Sequence, residues 1–469
     1  MGTVQKAVAY LKRYGAKKLV RKAIEKRNQS EDYDRIRLEE TASEEEKAKQ
    51  RNMIFPQMPV ISIIIPAFNS DEKMFTETLM SVKNQTYDRW QLCISDGGDN
   101  PVEHIINKVF GNDSRVKYIR LNKNLGISGN SNEALRPATG EYVAFLDHDD
   151  LLEPDALYET VACINRDNAD FVYTDEDKVT EDLSHYFRPY GKPDYNGVLF
   201  MSNNYICHFT TIQRSIVTKA GGFRPEYDGA QDYDLFLRCA GLCQKISHVP
   251  KVLYHWRVGK SSTSDNPFNK EYAFLAGKRA IEDSLSRAGR KDIKVLELDD
   301  PGYFTLTNTR EYDFSWEVLE TDSDKRQKTD AEADFCYIIK KGMTADKDII
   351  KALINRAVVT EADILVPKLI KKKKYIYNGI ADTGNGHIKS LSGKPYWYKG
   401  EFNLGNLDME VDLLPTYGVL VKHEYEEAFI EALESVGNKD FVRTEDINKF
   451  VKNLTGIKAV YSPRVTVKL

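Results

Sequence analysis

The feature that most constrains this chain is a series of short apolar, β-branched runs, each followed at once by a polar cluster. Val60-Ile61-Ser62-Ile63-Ile64-Ile65 is nearly all apolar, as a strand buried on both faces would be. Pro66 is expected to end it, and Ala67-Phe68-Asn69-Ser70 to form the next loop. Leu92-Cys93-Ile94 leads into Ser95-Asp96-Gly97-Gly98-Asp99, and Val116-Lys117-Tyr118-Ile119 follows as a third run. Tyr142-Val143-Ala144-Phe145-Leu146 leads into Asp147-His148-Asp149-Asp150. Phe171-Val172-Tyr173 leads into Asp175-Glu176-Asp177. Helical patterns lie between the runs, at Leu79 and Val82, Asn130 to Leu135, and Leu157, Val161 and Ile164. Strands alternating with helices predict an α/β fold, a mostly parallel, doubly wound sheet. Ligands of such sheets bind beyond the carboxyl ends of the strands. Four polar clusters at one end of one sheet therefore describe a site.

The chemistry of that site follows from its residue types. Carboxylates are costly to bury unpaired, so Asp147 and Asp149 are expected at the strand's mouth. An extended chain would point both to one side. Hard divalent cations take oxygen ligands, commonly one or two carboxylates plus substrate phosphates. D-x-D alone also fits a solvated turn. No G-x-G-x-x-G follows the first strand and no G-x-x-x-x-G-K-[ST] occurs, which argues against a dinucleotide cofactor and a P-loop.

Composition narrows the class. The 469 residues suggest two or three domains. With 41% hydrophobic and 29% charged residues the chain reads as soluble and globular. It has no apolar run of the roughly 20 residues that span a bilayer, and no signal-peptide core. A net charge of −4 argues against nucleic-acid binding. The six cysteines form no C-x-x-C and read as core thiols in a reducing cytoplasm.

The pieces Ile61 to Asn69, Gln85-Thr86-Tyr87, Asp96-Gly97-Gly98, Asn124 to Gly129 and Asp147-His148-Asp149-Asp150 together resemble glycosyltransferase family 2, with the GT-A fold. Tyr173 to Asp177, Gly221-Gly222-Phe223, Gln231 to Leu235 and Leu253-Tyr254-His255-Trp256-Arg257 continue the resemblance, which covers roughly 58–260. It is closest to bacterial enzymes that build cell-surface polysaccharides, including rhamnose-rich ones. The resemblance implies that Asp96 hydrogen-bonds the nucleotide base, while Pro66, Phe68, Asn69, Gly126, Asp147 and His148 line the nucleotide-sugar pocket. It implies Mn²⁺ or Mg²⁺ held by Asp147 and Asp149, with His255 a third ligand or an ordinary strand histidine. Asp232 stands at the place of the catalytic base; an N-cap is its other reading, and both can hold. Asp175, Tyr190, Trp256 and Arg257 fall on the acceptor side. Ser95 and Asn130-Ser131-Asn132 depart from the family's usual pattern.

The implied reaction is inverting transfer from a UDP- or dTDP-sugar, dTDP-rhamnose among them, to a hydroxyl of a lipid-linked or oligosaccharide acceptor. Its place would be the cytoplasm, at the inner face of the membrane. A sugar nucleotidyltransferase would need a Gly-rich, basic loop after the first strand, which Ala67-Phe68-Asn69 lacks. A non-catalytic scaffold is the rival of another class, and intact Asp147, Asp149 and Asp232 argue against it.

The flanks divide the chain into 1–55, 56–290 and 291–469. Residues 1–30 carry nine basic residues against Glu25, with Val4, Val8, Leu11 and Leu19 at helical spacing. Such a helix suits an anionic membrane surface or packs on the protein with a solvated basic back. Residues 31–50 turn acidic, as a solvated helix or connector does. Asp334 to Gly342 aligns without gaps on Glu141 to Asp149, and Ala362 to Val366 on Ala169 to Tyr173. This reads as a worn copy of the sheet's second half, with Lys340 and Gly342 in place of Asp147 and Asp149. It should be non-catalytic and pack on the catalytic domain, on its own copy in a dimer, or on a partner glycosyltransferase. The aromatic run Tyr396-Trp397-Tyr398 could instead hold a glycan.

Overall fold

A computed structural model describes residues 33–258, 271–310, 314–321, 333–343, 346–371, 375–376, 380–382, 388–395, 398–399, 401–437, 440–451 and 456–469. The basic segment 1–30 and Tyr396-Trp397 lie outside these residues.

β1 (Ile61–Ala67) is buried along all seven residues, which its nearly all-apolar character requires. It lies between β2 (Trp90–Asp96) and β4 (Tyr142–Phe145), parallel to both, with β3 (Val116–Arg120) parallel beyond β2. Pro66 does not end β1: it sits inside the strand opposite Ser95. The second half of the sheet departs from the parallel pattern. β5 is Leu151–Leu152, β6 Phe171–Thr180, β7 Tyr186–Tyr190, β8 Thr210–Gln213 and β9 Ile246–Val258. β8 enters antiparallel between β4 and β6, and β6 runs parallel to β9. The order is β3-β2-β1-β4-β8-β6-β9-β5, with β7 on β6. This is a mixed sheet with a parallel half, the α/β arrangement expected of a GT-A fold.

Helices cover the sheet. Among the described residues two precede it, α1 (Tyr33–Glu40) and α2 (Glu44–Arg51). α2 buries none of its residues and is held by a Ser43–Glu46 capping box, as the acidic stretch predicts. α3 (Glu72–Lys83), α4 (Glu103–Phe110), α5 (Gly126–Leu135), α6 (Ala156–Asp167), α7 (Gly197–Phe200), α8 (Arg214–Ala220), α9 (Gln231–Ala240) and α10 (Glu271–Arg287) follow. α5 begins at Gly126, four residues before the expected helix. Gly126 adopts φ 78°, a left-handed backbone that favours glycine.

A hairpin, β10 (Ile293–Glu297) with β11 (Phe304–Asn308), leads into a second sheet. β12 (Trp316–Glu320), β13 (Phe335–Ile339), α11 (Lys347–Thr360) and β14 (Ile364–Lys371) come first. The short strands β15 (Tyr375–Ile376), β16 (Ile380–Asp382), β17 (Ile388–Ser390), β18 (Met409–Glu410) and β19 (Leu413–Pro415) follow. β20 (Val419–Lys422), α12 (His423–Val436), β21 (Phe441–Arg443), α13 (Thr444–Asn448) and β22 (Ala459–Lys468) complete it. The sheet order is β12-β13-β20-β14-β22-β18.

This order repeats β1-β4-β8-β6-β9, down to the register. Tyr142 pairs with Gln213 and Val143 with Ile212; Phe335 pairs with Lys422 and Cys336 with Val421. Phe171 pairs with Ile212 and Ile246; Ile364 pairs with Val421 and Ala459. The irregularity between Thr174 and Asp175 recurs between Pro367 and Lys368. Five strands with one order, one set of directions and one bulge make chance likeness of two strand–helix units untenable. The C-terminal sheet is a partial second copy, as the ungapped alignment suggests. Its apolar core is continuous with that of the first sheet through Phe200, Tyr205, Phe304, Leu404 and Met409.

Candidate active site

The strand ends set the site. Beyond β4, Leu146 N–H still donates to the Ile64 carbonyl (3.1 Å), and the chain then turns at once, Asp150 N–H donating to the Asp147 carbonyl (3.3 Å). The turn sorts its carboxylates. Asp147 stays half exposed at 48%. Asp150 is buried, accepting from Tyr254 Oη (2.5 Å) and from the Arg257 N–H (2.7 Å). Burial first, then the charges of Asp149 and Asp147, push the Asp150 carboxyl well up. Asp150 thus anchors the turn to β9 and leaves Asp147 and Asp149 to the cleft. His148 Nδ1 pairs with Ser70 Oγ at 2.9 Å, tying the turn to the loop after β1.

Asp232 comes from the other side. It is the second residue of α9, whose N-cap is Ala230, so it does not cap the helix. Its Oδ2 accepts from Asn204 Nδ2 at 2.8 Å and faces Cys207 Sγ at 3.8 Å. The next residue, His208, lies 3.8 Å from Asp147 Oδ2 through Nε2 and stacks on Tyr254 at 4.6 Å. Segment 204–208 therefore joins Asp147 to Asp232. After burial and Glu176, the charges of Asp232 and Asp147 both help to hold the Cys207 thiol protonated. Beneath this segment, the buried Lys192 donates to Glu176 Oε2 (3.0 Å), to the Ile206 carbonyl (2.7 Å) and to the His208 carbonyl. Lys178 Nζ stands 4.4 Å over the half-buried Trp256 ring.

Several expected residues sit elsewhere. His255 does not offer a nitrogen to a metal: Nδ1 pairs with Asp177 (2.6 Å) and Nε2 with Glu153 (3.1 Å). Burial alone would lower its pKa, but the two carboxylates raise it to about 9. Asp96 is fully buried and already has four donors: Gly98 N–H, Val102 N–H, Tyr118 Oη and Arg120. It organises the loop after β2 and leaves no lone pair for a base. Asp175 lies inside β6, not beyond it, accepting from Lys192 N–H and His248 Nε2. Tyr190 is buried, and Arg257 is buried against Glu77, so neither forms an acceptor surface. Of the four acceptor-side residues, Trp256 alone faces His208. Pro66 contributes backbone within β1. Phe68 (41% exposed) and Asn69 stay at the mouth. Gly126 stands where a Cβ would come within 2.8 Å of Asp228 Oδ2, the carboxylate that accepts from the Ser128 N–H at the start of α5.

Asn204, Cys207 and His208 carry no local motif, so sequence reasoning passed over them.

Residues 62–224 match the model of the family described as Glycosyl transferase family 2. The chain is 39% identical over 243 residues to the uncharacterized protein y4gI of Sinorhizobium fredii, covering 51% of this chain and 27% of that protein. It is 31% identical over 234 residues to the O-antigen biosynthesis protein RfbC of Myxococcus xanthus, covering 49% of this chain and 18% of that one. The chain thus spans less than a third of the length of these relatives. A solved structure of S. aureus TarS 1-349 with UDP-GlcNAc aligns at 20% identity and a TM-score of 0.40, over 48% of this chain and 66% of that one.

Proposed function

We propose that this chain, whose residues 62–224 match the model of glycosyltransferase family 2, moves a sugar from a nucleoside diphosphate to an acceptor hydroxyl with inversion, in the building of a bacterial surface polysaccharide. The observation that carries the reading is the mouth itself. Asp147, by His208, and Asp232, by Asn204 and Cys207, lie at the two ends of segment 204–208, and Asp149 shares the turn of Asp147.

Asp147 and Asp149 form an all-oxygen, solvent-reaching pair of the kind that holds Mn²⁺ or Mg²⁺. Such an ion, when bound, supplies Lewis-acid stabilisation of the departing diphosphate. Asp232 takes the proton of the attacking hydroxyl as the new C–O bond forms and the sugar–phosphate bond breaks. Asn204 fixes Oδ2 of Asp232, so Oδ1 is the oxygen turned to the acceptor. Lys178 and Trp256 offer a cation and an aromatic face beside His208. The nucleotide is a UDP- or dTDP-type donor, with Phe68 at the mouth for base stacking. The acceptor is a lipid-linked or oligosaccharide hydroxyl. Residues 56–290 are the catalytic domain in this reading, and the partial copy in 291–469 is catalytically silent. Among the described residues, no helix is long and apolar enough to cross a membrane. Contact with the inner membrane face would fall to the basic segment 1–30.

Asp232→Asn tests the reading. It should leave donor affinity near wild type and lower transfer about 10²-fold or more. Unchanged turnover at saturating acceptor would place the base elsewhere.

A further inference from the structure

The second sheet carries a cluster that sugar transfer leaves unused. Glu317 stands on β12, and His423 and Glu426 lie three apart in the first turn of α12, on one helix face. Beneath them is the buried Cys336 of β13; burial first, then the Glu426 and Glu317 charges, push its thiol up. One ligand-capable atom each of Glu317, His423 and Glu426 falls within 4.8 Å of the others. His423 Nδ1 and Glu426 Oε2 are 3.3 Å apart. Both atoms are sealed from solvent, and neither meets the geometry of a hydrogen bond, although the Glu426 carboxylate also interacts with the Cys336 thiol.

That geometry is informative. A buried carboxylate oxygen and a buried ring nitrogen in near contact, without a hydrogen bond between them, are each unsatisfied, which is costly. A tetrahedral zinc with bonds of about 2.0–2.2 Å holds neighbouring N and O ligands about 3.3–3.5 Å apart. The His423–Glu426 separation of 3.3 Å fits two ligands on one ion, and Glu317 would close in by a small side-chain shift. The repeat supplies an internal comparison. By strand register and helix start, the counterparts of Glu317, Cys336, His423 and Glu426 are Ser62, Val143, Arg214 and Val217. The four potential donors therefore occur together in the second sheet alone, away from the strand ends that form the catalytic mouth.

We infer that Glu317, His423 Nδ1 and Glu426 hold a structural divalent cation of the zinc class, clamping the edge strand β12 to α12. Imidazole beside carboxylate, with a thiol adjacent, favours a borderline ion over Mg²⁺ or Ca²⁺. The ion would satisfy the two orphaned atoms and offset the repulsion between the carboxylates.

The test uses the full chain, stripped with chelator and titrated with zinc alone. Wild type should take up one tight equivalent by calorimetry and by metal analysis after gel filtration, and its thermal midpoint should rise. His423→Ala and Glu426→Gln should each weaken uptake at least ~10-fold and abolish the rise. Glu317→Gln, at an edge strand, should do the same with an unchanged circular dichroism spectrum, which guards against misfolded variants. Asp149→Asn should keep the zinc, separating this site from the catalytic mouth. The proposal fails if wild type takes no stoichiometric zinc, if the His423 and Glu426 variants bind as wild type does, or if Asp149→Asn removes the ion.

Discussion

Asp147, Asp149 and Asp150 show how one tight turn gives three identical side chains different duties. Asp150 is taken by Tyr254 and the Arg257 N–H and becomes a strut. Asp147 keeps its carboxylate at the solvent. Asp149→Asn should therefore abolish Mn²⁺- or Mg²⁺-supported donor binding while the fold survives, since no buried bond is lost. Calorimetry giving the wild-type metal-dependent nucleotide affinity would sink that assignment. The turn was legible because apolar residues run straight into carboxylates. The hydrogen-bond partners of Asp96 and His255 were not legible for one reason: a residue's type and place do not reveal donors and acceptors that arrive from elsewhere along the chain. Asp96 meets Tyr118 and Arg120, and His255 meets Glu153, about a hundred residues away.

At the scale of elements, β6 is the instructive case. Asp175-Glu176-Asp177 read as a polar cluster following a strand end, because three acids rarely continue a buried strand. They do so here because each has a cationic or donor partner: His248 for Asp175, Lys192 for Glu176, His255 and Tyr33 for Asp177. The last pair fastens α1 to the sheet. Tyr33 Oη donates to Asp177 Oδ2 at 2.8 Å, and Arg37 reaches Glu153 at 2.5 Å. Tyr33→Phe should destabilise the protein by about 1.5–3 kcal/mol, the usual worth of a hydrogen bond to a charged group, read by denaturant unfolding. The cluster also sets a pH dependence. His255 is raised in the folded state from 6.5 to about 9, so its contribution is fully present below about pH 6.5 and lost as pH rises through about 9. Thermal midpoints should fall across that window in wild type. A His255→Gln variant that kept the same slope would show that another group titrates.

At the scale of the whole molecule, each sheet has an apolar cluster of its own and the two share a third, and this shared cluster decides how the chain unfolds. Among the described residues, the half-sheet Trp316 to Lys468 has no strands equivalent to β2 and β3, and its own helices α11 and α12 cover only part of it. Further cover comes from the segment around Leu404 and from the first domain: Leu404, Leu407 and Met409 join the cluster that holds Phe200 and Tyr205. Asn196 seals the junction, accepting from the Glu410 N–H at 3.1 Å and donating to the Glu410 carbonyl at 2.9 Å. The repeat that built this arrangement was legible where the copies align without gaps, from Glu141 and Asp334 onward. It faded after β14, where loops of unequal length shift the alignment while the strand register stays constant. Cutting the chain near residue 320 would expose the shared core, so loss of solubility in such a fragment follows from packing. The sharper expectation is one cooperative transition for both sheets, not two. Trp90 reports on the first sheet and Trp316 on the second. Leu407→Ala, a fully buried site at the junction, should cost about 2–5 kcal/mol and lower both fluorescence-detected midpoints together. Single-tryptophan variants that melt at separate temperatures, or a Leu407→Ala shift confined to the Trp316 signal, would mean that the two sheets are independent units.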